Sequence, residues 1–198
     1  MDIIYTYVEL CKSFLDHHLD DVGFIIINEN GKTSINKKRT EISIDNIQPN
    51  TPCLIDNHLF ALWDMRSNYF DWNNIDIACG IAHELFHCAQ IKYGIWKKCK
   101  KNNYFNYIPP NDTLTDSNFM NSIPENVKDT ILIEGTAQYF ELLCKSKISY
   151  TPMHKLLSEY RLFAQNYHEY IEYYIGAYRT FYLMNIGNFN WNNYFNIS

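Results

Sequence analysis

A chain of 198 residues and 23.5 kDa is long enough for one domain with its own core and too short for more than two small lobes. Apolar residues make up 46% and charged residues 20%, which excludes an intrinsically disordered chain. A net charge of -5 and a pI near 5.8 argue against nucleic acid as the default partner, because phosphate binding needs a basic face.

Residues 1–20 read as a helix, because Ile3, Tyr7, Leu10, Cys11 and Phe14 recur at helical spacing. The same stretch carries Glu9 and Asp16 where a signal peptide would be apolar, and the apolar run at 22–27 is far short of the roughly 20 residues that span a bilayer. A cytoplasmic protein with no membrane partner is therefore expected. The six cysteines, at 11, 53, 79, 88, 99 and 144, form no CxxC pair and are expected to be reduced and mostly buried. The basic run Lys97-Lys98-Cys99-Lys100-Lys101 reads as a solvated patch.

A strand-rich stretch follows the first helix. Residues 22–27 are apolar and β-branched, Asn30-Gly31 is a strong hairpin turn before residues 32–35, and further strands are expected at 41–44 and 53–63. From residue 74 onward the pattern is helical, interrupted by an irregular polar insert at about 100–121. Sheet first and helices after predicts an α+β fold: a single domain over 1–198, with a helix-plus-sheet sub-lobe over 1–72 and a helical sub-lobe over 73–198.

Two of the helices carry chemistry. One is predicted over 75–93, with Asn74 as N-cap and Gly94 as its stop; the other starts near Pro124, where Ser122 and Glu125 have capping-box spacing, and runs to about Cys144. The first contains His83-Glu84-Leu85-Phe86-His87, an HExxH. Residues four apart on a helix project from one face, so His83 and His87 can bind one cation, and neutral imidazole suits zinc. Glu84 is then the general base for a metal-activated water. The remaining ligand is expected to be Glu134, a carboxylate in the apolar stretch Ile131-Leu132-Ile133 that needs a partner there. Gly135 beside it, costly in a helix, implies that something approaches closely. The set predicts one tetrahedral zinc per chain with an open position. Glu141, seven residues on, is a candidate for orienting a ligand histidine. Cys88 is expected to be a buried thiol, and His17, His18, His58, His154 and His168 lack ligand spacing.

These residues resemble a gluzincin, the zinc peptidase group that includes thermolysin and the aminopeptidase N family. Ile81-Ala82-His83-Glu84-Leu85-Phe86-His87 is similar to the VIAHELxH segment of aminopeptidase N and its leukotriene-hydrolase relatives. Residues 134–141 resemble their EGFAxYxE segment, and Tyr173-Tyr174-Ile175-Gly176-Ala177, ending in Leu183, resembles their YxKGAxxxxxL. The resemblance implies a zincin-like metallopeptidase acting on peptide or protein substrates. It also implies that Tyr173, with Tyr174 as its rival, stabilises the tetrahedral intermediate. The chain departs from the family in its longer interval between His87 and Glu134, in Gln138 and Ile175 at motif positions, and in lacking a GxMEN amine-binding segment. No counterpart of that family's large C-terminal helical domain is expected either. An open cleft with the run 53–63 as substrate-pairing edge, and hence an endopeptidase, is the expectation. Were the chain an aminopeptidase, Asp64 would be the first candidate to hold the amine. A catalytically inactive binding module of the same fold is the reading from another class.

Overall fold

The computed structural model describes residues 2–15, 17–27, 33–35, 50–55, 58–67, 72–96, 105, 107–186 and 189–195. The Asn30-Gly31 turn, the expected strand at 41–44 and the basic run at 97–101 lie outside them. Among the described residues are eight helices and four strands, a mixed α+β arrangement, and the chain falls into two compact units, Met1–Lys92 and Tyr93–Ser198.

In the first unit, α1 (Asp2–Ser13) buries Ile4, Val8 and Cys11 along one stripe. It is shorter than the periodicity suggests, because residues 17–21 form turns, and Lys12 Nζ donates to the Val22 carbonyl at 2.9 Å where the chain enters the sheet. The sheet has the order β2-β1-β4-β3, from β1 (Gly23–Ile27), β2 (Thr33–Ile35), β3 (Thr51–Ile55) and β4 (His58–Asp64). β1 pairs antiparallel with β2, Ile27 opposite Thr33, and parallel with β4, Gly23 opposite Phe60. All of β1 is buried, as a continuous apolar run in a central strand should be. The run at 53–63 is two antiparallel strands rather than one, with Ile55 opposite His58. Asp56 and Asn57, residue types that favour turns, fall between them. β3 is therefore an edge strand among the described residues.

The HExxH helix is α2 (Asn74–Lys92), which packs on α1, β4 and β3. It thus groups with the sheet rather than with the later helices. Its cap is Asn73, one residue before the expected Asn74: Asn73 Oδ1 accepts from the backbone N–H of Ile75 at 2.9 Å and of Asp76 at 3.0 Å. Gly94, with φ of 71°, follows its end in the left-handed conformation that glycine tolerates. Every residue of α2 from 77 to 90 is buried. The ring of Trp63 lies against Gly80, where an added Cβ would stand 2.4 Å from it.

The second unit is built from α3 (Asn111–Thr115), α4 (Ser117–Ser122), α5 (Glu125–Ser149), α6 (Met153–Asn166), α7 (Ile171–Ile186) and α8 (Trp191–Phe195). The later part of the expected insert is therefore helical. Ile108, Leu114 and Met120 join Ile131, Tyr174 and Ile175 in one core. The capping box is not formed. Ser122 Oγ donates instead to the Phe119 carbonyl at 2.7 Å, closing α4, and α5 starts from Pro124 without a side-chain cap. α5 also runs on to Ser149, past the expected end at Cys144.

No helix among the described residues is long and apolar enough to cross a membrane. The five described cysteines form no disulfide; Cys11, Cys79, Cys88 and Cys144 are buried and Cys53 is half-buried.

Candidate metal centre

α2 is apolar on all sides, so its few polar side chains stand out. His83, Glu84, His87 and Gln90 are 8%, 9%, 2% and 0% exposed. Burying such groups is costly unless they are engaged, so each demands a partner. The one-turn spacing of the histidines brings their ring centroids to 4.7 Å in an edge-on arrangement. His87 Nδ1 lies 2.6 Å from Gln90 Oε1, one turn further along the same helix. An amide oxygen can only accept, so a neutral imidazole paired with it through Nδ1 would carry its proton there and keep the lone pair on Nε2.

Glu134 is half-buried on α5. The close approach anticipated at Gly135 is made by Gly176 of α7: a Cβ on Gly135 would stand 2.3 Å from the Gly176 Cα, and one on Gly176 would stand 2.0 Å from the Ile131 carbonyl oxygen. Two hydroxyls, those of Thr136 and Thr180, stand 3.3 Å apart on the same pair of helices. Gln138, one turn after Glu134, accepts from the Tyr160 hydroxyl at 3.1 Å. Burial pushes that hydroxyl's pKa well up, and the charges of Glu141 and Glu134 push it further. The Tyr160 hydroxyl thus stays protonated and gives its proton to the bond with Gln138, a pairing that no motif announces.

Ligand atoms of His83, His87 and Glu134 all lie within 4.8 Å of one another, a group that could hold a metal ion. Glu84, adjacent to His83, is not one of the three. Burial pushes the Cys88 thiol well above its ordinary pKa, with Glu84 and Cys53 adding to the shift. Cys88 is not among the residues of the ligand group.

Both tyrosines of the third motif are buried on α7. Tyr173 packs its ring on Tyr170 at 5.6 Å. Tyr174 is a structural hub: its hydroxyl donates to Asn111 Oδ1 at 2.8 Å and accepts from Arg161 Nη1 at 3.3 Å. Glu141 is half-buried on α5. The neighbour at His87 Nδ1 is Gln90. A polar residue three positions after His87 on an otherwise apolar helix was its only signal in the sequence.

Asp64, at the end of β4, is 4% exposed and held by its neighbour: Arg66 Nη2 donates to Oδ2 at 2.8 Å, and Arg66 Nε and N donate to Oδ1 at 3.0 and 2.9 Å. The side-chain hydrogen bond from Arg66 holds the Asp64 pKa below the usual carboxylate range. A cavity of about 320 Å³ in the second unit lies against Ile131, Thr136, Gly176 and Leu183, and no carboxylate, imidazole or thiol lines it. It offers nothing to a metal. In comparisons with known proteins, the chain matches no family model, no curated protein and no solved structure.

Proposed function

We propose that the chain is a zinc-dependent metallopeptidase of the gluzincin type that cuts within peptide chains. The observation that carries this reading is the convergence of His83, His87 and Glu134 to within 4.8 Å. Two imidazoles and a carboxylate suit zinc, and the ligand atoms of a tetrahedral ion stand roughly 3.4 Å apart, so the three side chains need draw in by at most roughly 1.4 Å. A zinc ion held there would polarise the scissile carbonyl and acidify a water molecule. Glu84, which offers a carboxylate next to His83 without belonging to the ligand group, takes the proton from the attacking water and hands it to the departing amine. The Tyr173 hydroxyl donates to the oxyanion as it develops.

An internal cut fits what surrounds Asp64. The carboxylate that would have to grip a free amino terminus already spends its charge on Arg66, so nothing there rewards an N-terminal residue. Substrate pairs instead along β3, the edge strand among the described residues, with Pro52 the one position in it that has no N–H to offer.

The reading is tested with chain purified without chelator. About one zinc per chain is expected, together with cleavage of an internally quenched peptide whose amino terminus is acetylated, and loss of that cleavage on chelation. A chain that takes up no zinc on titration overturns the metal. Bound zinc without hydrolysis of any peptide in a mixed library favours the inactive binding module, and cleavage only of peptides with free amino termini favours an aminopeptidase.

The two tyrosines should separate by readout. Tyr173→Phe is expected to lower kcat more than it raises KM. Tyr174→Phe, which leaves Asn111 and Arg161 short of a partner, should cost about 1 kcal/mol of stability with kcat little changed. Should Tyr174→Phe be the variant that lowers kcat, the oxyanion donor is Tyr174.

A further inference from the structure

The bond between His87 and Gln90 points to a residue that nothing in the motifs assigns. We infer that Gln90 is a positioning residue, which fixes the tautomer and ring orientation of His87 so that Nε2 is the atom presented to a metal. The inference rests on the metal reading above for its purpose, and on the apo geometry for its substance.

Four facts support it. The Nδ1 to Oε1 distance of 2.6 Å is at the short end for such a bond. Gln90 is fully buried and His87 is 2% exposed, so water does not compete for Nδ1. Both residues sit on α2, one turn apart and within a stretch buried without a break, so the helix backbone holds donor and acceptor in register. A neutral imidazole has a single N–H, and committing it at Nδ1 settles where the lone pair is.

The choice of an amide has a chemical consequence. Ligand histidines are commonly oriented by a carboxylate or a carbonyl, which also raises ligand basicity. Here Glu134 is in the ligand group and Glu84 is buried in the same helix. A third carboxylate at 90 would add a negative charge to the same buried neighbourhood; glutamine accepts the hydrogen bond without it. Gln90 therefore orients His87 while leaving the charge of the ligand set to Glu134.

The experiment reads the apo chain first. Nitrogen-15 NMR of the histidine rings, at a pH where His87 is neutral, should find the His87 proton on Nδ1. Finding it on Nε2 overturns the inference whether or not the chain binds metal. Zinc affinity is then measured by competition with a chelator, using Gln90→Leu and Gln90→Glu, with thermal unfolding as a check on the fold. Gln90→Leu should weaken zinc binding by about 10- to 100-fold, the usual loss for such a partner, and should move the His87 proton off Nδ1. Gln90→Glu, which restores an acceptor, should recover the affinity and the Nδ1–H form. Wild-type affinity in a folded Gln90→Leu, or equal loss in both variants, would mean that residue 90 acts only by packing. If no variant and no wild type binds zinc, the metal reading fails while the tautomer result still decides the role of Gln90.

Discussion

Glu84→Gln is expected to keep the fold and the zinc and to lower peptide hydrolysis by at least about a hundredfold, the low end of what a general base contributes. The substitution conserves shape and removes only the proton-accepting charge. Because Glu84 is not among the three clustered ligand residues, metal content should stay at about one per chain. Zinc analysis and kcat/KM on the same preparation check both halves. Near-normal turnover would place the base on another residue, and lost zinc would make Glu84 a ligand rather than a base.

Gly176→Ala is expected to destabilise the protein by roughly 3 kcal/mol, at the top of the overpacking range. The added Cβ would stand 2.0 Å from the Ile131 carbonyl oxygen and 2.6 Å from the Gly135 Cα. Both obstacles are backbone, so no rotamer change relieves them and α5 and α7 must move apart. Gly94→Ala is the control. Its Cβ meets nothing within 4 Å and strains only a φ of 71°, which should cost about 1 kcal/mol. Denaturant midpoints for the two variants measure the difference. Equal losses would mean that the helices yield at the crossing.

Much of α2 was readable in advance because its signals are local. The HExxH spacing, an asparagine at the start and a glycine after the end each act within a turn or two, and the helix forms where they say. The cap fell one residue early because Asn73 and Asn74 are adjacent and either could serve; the bonds to Ile75 and Asp76 choose Asn73. Ser122 misled for a related reason. Capping-box spacing says nothing of what precedes it, and here the hydroxyl was already engaged by Phe119 at the end of α4. The run at 53–63 reads as one strand because apolar character continues across it, although Asp56-Asn57 carry a turn signal. Gly135 declared that something came close, but only the fold could say that it is another glycine. Gln90 carried least of all, since a lone glutamine in an apolar helix has no pattern to match. The grouping of His83, His87 and Glu134 was legible because the cost of burying each is a property of the residue itself. The roles proposed for Glu84 and Tyr173 rest on chemistry that only turnover can read.

The parallel pairing of β1 with β4 bears on the order in which the first unit assembles. The connection from Ile27 to His58 includes β2, paired with β1, and β3, paired with β4, and the parallel pairing of β1 with β4 adds the entropic cost of closing that whole stretch. α2 packs on α1, β4 and β3 and is too uniformly apolar to hide its surface by itself, so it is covered on all sides only once that closure has happened. The two imidazoles therefore become a rigid pair late. Slow, non-local folding of this kind leaves the most apolar helix of the unit exposed for longest, and synthesis of the chain would be most vulnerable to aggregation in the interval between making α2 and closing the strands beneath it.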